Sequence, residues 1–226
     1  MAAVTWYMTN ANAGPHQQMD ETSPGGDANS NPLTGWTVAK VAATAYSKMD
    51  SGVEQASTTF ASTPIEPDGS IDTTVGDCLR TTNTYNGDFA NANWVFRAKV
   101  IAATGGGEQD GRIGLRLFRD TSASGDTATQ ITAARVAGAV VTNLATTSAQ
   151  TSNATFNPGA FTVTNEYLFL QLGWEITGAG NNNNRDVLFQ IGTTATCLIS
   201  ADFTPVSTYP LPSKIHRVRE WSGYRR

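Results

Sequence analysis

One stretch constrains this chain more than any other: in Tyr167-Leu-Phe-Leu-Gln-Leu-Gly-Trp-Glu-Ile-Thr177, the residues Leu168, Leu170, Leu172, Trp174 and Ile176 recur at every second position. A two-residue period puts them on one face of an extended backbone, whereas a helix would space them by three and four. The stretch is therefore a half-buried strand. A Gly/Asn run over 178–184 follows, then Arg185-Asp-Val-Leu-Phe-Gln-Ile-Gly192, in which Val187, Phe189 and Ile191 share a face. Turn-forming residues between two alternating runs predict a long antiparallel hairpin.

The pattern recurs upstream. In 94–102, Trp94, Phe96, Ala98 and Val100 face one way, and Arg97 and Lys99 face the other. In 112–119 the inner face is Ile113, Leu115 and Leu117, and the intervening 104–111 ends in Asp-Gly, so these two runs are also predicted to close a hairpin. Strands are predicted at about 36–49, 54–60, 93–103, 112–119, 129–144, 160–177, 185–192 and 195–203, with loop from 61 to 92 apart from a short strand near Cys78 and Leu79. No stretch carries a convincing helical period. Strands of this number with turn signals between them predict an all-β fold, an antiparallel two-sheet sandwich of jelly-roll type. Its predicted core comprises Trp94, Phe96, Leu115, Leu117, Leu170, Trp174 and Phe189.

At 226 residues the chain accommodates one such domain, predicted over 36–204, with extended arms over 1–35 and 205–226. The first arm opens on a short β-like run, 4–8, and then loses all period through Gly14-Pro15 and the Pro/Gly/Asn-rich 23–32. In the second, Pro205, Pro210 and Pro212 keep the chain extended and away from helix.

Charge is sparse and uneven. Charged residues make up 15% of the chain, while Thr, Ala, Asn, Ser and Gly abound, a composition suited to sheets whose surfaces pack against other protein. Against a formal net charge of −4, the segment 214–226 holds five bases and one acid, Glu220, so it carries about +4 and the rest about −8. A body of that sign repels a phosphate backbone, so no nucleic-acid partner is expected. The cations Lys214, Arg217, Arg219, Arg225 and Arg226 are interleaved with apolar residues that include Trp221 and Tyr224, which marks this arm as a candidate docking segment for a protein groove.

No catalytic or metal-binding signature stands out. The two histidines, His16 and His216, fall in the predicted arms, away from any rigid element that could hold a base against a nucleophile. Glu54, Glu66, Asp110, Glu175 and Asp186 could supply a glycosidase pair, but nothing in the sequence brings two of them together. The run 66–72 has oxygen-bearing side chains around Gly69 but lacks the spacing of a calcium loop, and reads as a Pro-Asp-Gly turn. Cys78 and Cys197 have no metal-ligand spacing, and Cys197 reads as a small buried side chain. The amino-terminal residues do not read as a signal peptide, and no stretch is apolar enough to span a bilayer, so synthesis in the cytoplasm is expected, with no membrane partner. The reading is of a non-enzyme without cofactor or metal.

The opening Met-Ala-Ala-Val-Thr-Trp-Tyr, the segment Asn165–Gly180 with its Asn-rich sequel, and Ile199-Ser-Ala-Asp-Phe-Thr-Pro205 together resemble accessory virion proteins encoded among the structural genes of tailed bacteriophages. The resemblance covers about 90–205 and a short amino-terminal match. It implies a virion component built on a jelly roll: a head decoration, a neck or tail fibre, or a tail or baseplate adaptor. It implies other virion proteins as partners and homo-oligomerisation, expected as a trimer, with no catalytic residues to carry over. The competing expectation is a module that recognises a host surface glycan through loops 104–111 and 178–185, since recognition commonly sits on loops held by a rigid sandwich.

Overall fold

Alternating inward and outward side chains build the strands over Tyr85–Phe89, Trp94–Ala102 and Gln150–Phe156. The structure is a computed structural model and describes residues 2–13, 16–22, 36–38, 46–48, 50–51, 78–102, 109–125, 127–132, 136–145, 147–177, 187–190, 196–200 and 202–206. Among them the regular elements are all strands. The first half of the chain supplies β1 (Thr5–Ala13), β2 (His16–Asp20), β3 (Trp36–Val38), β4 (Tyr46–Lys48), β5 (Asp50–Ser51), β6 (Cys78–Thr81), β7 (Tyr85–Phe89) and β8 (Trp94–Ala102). Next come β9 (Gln109–Asp120), β10 (Thr129–Gln130), β11 (Val136–Ala137), β12 (Val141–Leu144) and β13 (Gln150–Phe156). The last are β14 (Phe161–Ile176), β15 (Val187–Gln190), β16 (Cys197–Ile199) and β17 (Phe203–Pro205).

The strands form a curled mixed sheet. β13 lies along one edge of β8, and β16 and β15 share the other. β16 continues to β1, and β1 to β2. β2 then meets β6 in the one parallel pairing among the described strands, and β6 leads to β14 and β14 to β9. The far edge of β9 carries β10, β11 and β12. The curl brings the two ends together, because the Ala139 amide donates to the Asn153 carbonyl at 2.7 Å and the Ser152 hydroxyl donates to the Ala139 carbonyl at 2.9 Å.

β14 bends where Asn165, at φ 54°, interrupts its ladder between Thr164 and Glu166. Before the bend it pairs with β7, which in turn pairs with β17, and after the bend it runs between β9 and β6. β7 needs a glycine at its centre. Gly87 has φ 156°, and a Cβ there would lie 2.2 Å from the Thr204 carbonyl oxygen of β17. Gly87→Ala is accordingly expected to lower stability by about 1–3 kcal/mol in equilibrium denaturation, through strain and a backbone collision. An unchanged midpoint would place β17 elsewhere.

Three expectations need correcting. β14 does not pair with β15, nor β8 with β9: β14 takes β9 as its partner over Tyr167–Ile176, and β15 lies on β8. The cross-strand pairs Leu170↔Leu117, Leu172↔Leu115 and Trp174↔Ile113 fill the core, a gain that the shorter local connection does not provide. Second, part of the stretch read as an amino-terminal arm is sheet, because Trp6, Met8 and Met19 are fully buried by β1 and β2. Third, β14 is buried on both faces. Leu168 and Leu170 are fully buried toward the main core, and Phe169 and Gln171 are fully buried on the opposite face.

The main core also holds Trp94, Phe96, Leu115, Leu117 and Trp174, each at most 1% exposed. The side chain of Phe189 lies outside the described residues. Trp6 stacks on Trp94 at 5.7 Å between centroids and meets Tyr85 edge-on at 5.5 Å, while Phe89 stacks on Phe161 at 4.8 Å. Behind β14, Phe169 faces Phe118 across the ladder, and the Arg80 guanidinium lies 4.5 Å from the Tyr167 ring centroid and donates to the Ala123 carbonyl at 2.7 Å.

Candidate assembly surface

Two exposed sheet faces are built by the outward half of the alternation. On the first, ladder register lines up Asn153, Arg97, Cys197, Tyr7 and Asp20 across β13, β8, β16, β1 and β2. A parallel row runs Thr155, Val95, Ile199 and Thr5, and Thr151 stands opposite Lys99. Asn153, Arg97, Thr151 and Thr155 are exposed, and Tyr7 and Asp20 are half-buried. Cys197 is a free thiol, only 2% exposed, and burial pushes its pKa up, so it behaves as part of the packing.

The second face lies over β7 and the first part of β14. Asp88, Thr162, Thr164 and Thr204 are exposed there, and the Thr162 hydroxyl donates to Asp88 at 2.6 Å. Arg119 donates to the Thr162 carbonyl, sits 3.4 Å from a Glu166 oxygen, and lies 6.0 Å from the Phe161 ring centroid. Arg119 and Glu166 are thus paired within the face, while Asp88 accepts from a hydroxyl beside the outward Thr164 and Thr204. Such a surface hydrogen-bonds readily and costs little side-chain entropy to pack, since Thr and Asn have few rotamers to lose.

Beneath the first face runs a buried polar link. The Trp6 indole N–H donates to the Tyr85 hydroxyl at 2.6 Å, and that hydroxyl donates to the Glu21 carboxylate. Burial, reinforced by Glu21, raises the Tyr85 pKa far beyond the physiological range, so the hydroxyl stays a donor. Thr82 completes the attachment of this corner: its amide and its hydroxyl both donate to the Met19 carbonyl at 3.0 Å.

The chemistry of the remaining candidates is sparse. Among the described residues no group of three or more His, Cys, Asp or Glu side chains is placed to hold a metal ion. Of the carboxylates that could have formed a hydrolytic pair, Asp110 is described and accepts from the Asn143 amide at 2.8 Å, joining β9 to the irregularity in β12. Glu54, Glu66 and Asp186, the Glu175 side chain, the His16 side chain and His216 lie outside the described residues. So do the 66–72 turn, most of loop 104–111 and loop 178–185. The predicted docking residues Lys214, Arg217, Arg219, Trp221, Tyr224, Arg225 and Arg226 lie outside them as well. Trp6, within the stretch read as an amino-terminal arm, is core.

No protein-family model matches the chain, and no curated protein matches it. Among solved structures it is similar to a CocE/NonD family hydrolase from Staphylococcus aureus, at 8% identity and a TM-score of 0.41, over 88% of this chain and 36% of that one. The chain thus spans about a third of that protein's length, and a likeness at this TM-score carries no argument about fold or activity.

Proposed function

We propose that this protein is a non-enzymatic structural component of a tailed-phage virion, a head decoration, a neck or tail fibre, or a tail or baseplate adaptor, built on a jelly roll and assembled through its sheet faces and carboxy-terminal arm. The observation that carries the reading is the pair of exposed sheet faces on which Thr and Asn stand among a few charges, Arg119 and Glu166 being paired on one of them. Short hydroxyl and amide side chains pack against protein over large areas, and charges already paired cost less to cover than separate ones. The bend of β14 between two ladders and the pairing of β1 with β16 suit the jelly-roll reading, in which strands distant in sequence lie side by side.

In this reading the residues 214–226 dock on a neighbour, Trp221 and Tyr224 providing buried area and the arginines pairing with acids. Deleting 214–226 is expected to leave the thermal unfolding of the isolated protein nearly unchanged and to abolish incorporation into particles. Normal incorporation of the deletion variant would remove the arm from the assembly role.

A second reading, a host-glycan recognition module, is favoured by one feature: the half-buried Tyr7 ring lies in a row with Asp20, Arg97 and Asn153, side chains able to hydrogen-bond a sugar. A glycan array separates the two readings. Reproducible saccharide binding that is lost in Tyr7→Ala supports recognition, and an array blank at high protein concentration rejects it.

A further inference from the structure

We propose that copies of this chain stack head to tail, the outward face of β13, β8, β16 and β1 on one copy packing on the outward face of β14, β7 and β17 on the next. This rests on the assembly role above and names a second copy of the chain as the partner.

The two faces look away from each other. Between them lies the aromatic core, where Trp94 of β8 meets Phe89 of β7 at 5.1 Å between centroids and Trp6 of β1 meets Tyr85 of β7 at 5.5 Å. Successive side chains of a strand turn to opposite sides. Val95 and Arg97 on β8, and Asn86 and Asp88 on β7, therefore point outward on opposite sides of the molecule.

The faces are complementary row by row. On the first, Val95 stands opposite Ile199, both half-buried; two residues further along β8 comes the exposed Arg97, and two further again Lys99. On the second, Val206 is 51% exposed and its amide donates to the Asn86 carbonyl. Two residues further along β7 comes the exposed Asp88, opposite Thr204, and two further again Ala90, whose amide donates to the carbonyl of the exposed Asp202. Each face thus runs apolar, charged, charged along the strand, with cations on one and acids on the other. Side chains on one side of a strand repeat about every 7 Å, so the rows are equally spaced on both faces. Laying Val206 against Val95 and Ile199 brings Asp88 to Arg97 and Asp202 to Lys99.

Among the described residues neither Arg97 nor Asp88 takes part in an ion pair, and Asp88 accepts from the Thr162 hydroxyl. Asp20, the acid that ends the Arg97 row, lies three strands from Arg97 and accepts from Gln18 and the Thr22 amide of its own chain. Opposite charges that meet only across the boundary between copies set the register of the contact. Patches on opposite sides of a protomer make a heterologous contact that repeats without closing. The smaller face has three strands, which limits the area and makes the contact a weak, concentration-dependent one. Neighbours held on a particle supply that concentration.

The test is sedimentation of the full-length chain over a concentration series at low salt, with Arg97→Glu, Asp88→Arg and the double variant. Either single change sets like charges against each other at every contact. The double variant, and an equimolar mixture of the two single variants, set opposite charges there again. Both positions are exposed, so the variants keep the fold, which circular dichroism checks. The average mass of the unmodified protein is expected to climb past the dimer with concentration and to fall with added salt. Each single variant is expected to stay monomeric, and the double variant and the mixture to climb again. An unmodified protein that is monomeric throughout, a mass that levels off at the dimer, or single variants that climb like the unmodified protein would overturn the stack. So would a double variant and a mixture that both stay monomeric. These outcomes leave particle incorporation, which tests the assembly role itself, unaffected.

Discussion

Replacing Trp174 with alanine is expected to destabilise the protein by about 3–5 kcal/mol, the usual cost of emptying a buried aromatic site. Trp174 is 1% exposed and faces Ile113 across the longest ladder of the sheet. The indole also fits against Gly111, where an added Cβ would lie 2.4 Å from its ring atoms. Gly111→Ala alone is therefore expected to cost about 1–3 kcal/mol by overpacking. In the Trp174→Ala background the same change meets a vacancy and becomes close to neutral, so the double-mutant cycle should show strong coupling. Additive losses in urea titrations would mean that the two groups do not touch.

Trp6→Ala is expected to be comparably costly, about 3–5 kcal/mol, although Trp6 lies only six residues into the chain. Its ring is fully buried among Trp94, Tyr85 and Phe89, and its indole N–H donates to the Tyr85 hydroxyl. A loss below about 1 kcal/mol, the range typical of surface changes, would show that residues 5–20 form an arm and that the sheet closes without them.

What the sequence revealed and what it hid divide along a physical line. The side on which each residue falls is written in the chain, because the pleat turns successive side chains to opposite faces; Trp94, Phe96, Leu115 and Leu170 could be assigned inward from spacing alone. Which strand lies beside which is not written there. Alternation at Leu168–Trp174 is compatible with any partner offering apolar residues in register, and β9 supplies Leu117, Leu115 and Ile113 where a local hairpin was expected.

The missed strands have weak apolar signals. β13 turns Ser152, Ala154 and Phe156 inward, and β7 turns Tyr85, Gly87 and Phe89 inward through an Asn-Gly-Asp stretch that reads as a turn. The stretch expected as a single strand over 129–144 is divided into β10, β11 and β12 around Gly138, with Asn143 at φ 56°. Burial of both faces of β14 was hidden for a similar reason. Phe169 and Gln171 stand among Tyr167, Gly173 and Glu175, a set too mixed to read as a second core face. Of the candidate assembly surface, the outward Arg97 and Lys99 were legible from alternation, whereas the row that joins Arg97 to Tyr7 and Asp20 depends on long-range register.

The most direct test of the structural role is to ask where the protein resides in intact, washed virions, by quantitative mass spectrometry and electron microscopy with a labelled copy. The expected result is a fixed copy number per particle, with label at one symmetric position on the head, neck or tail. Particles that carry no copy of the protein, with all of it left in the soluble lysate fraction, would contradict a structural role.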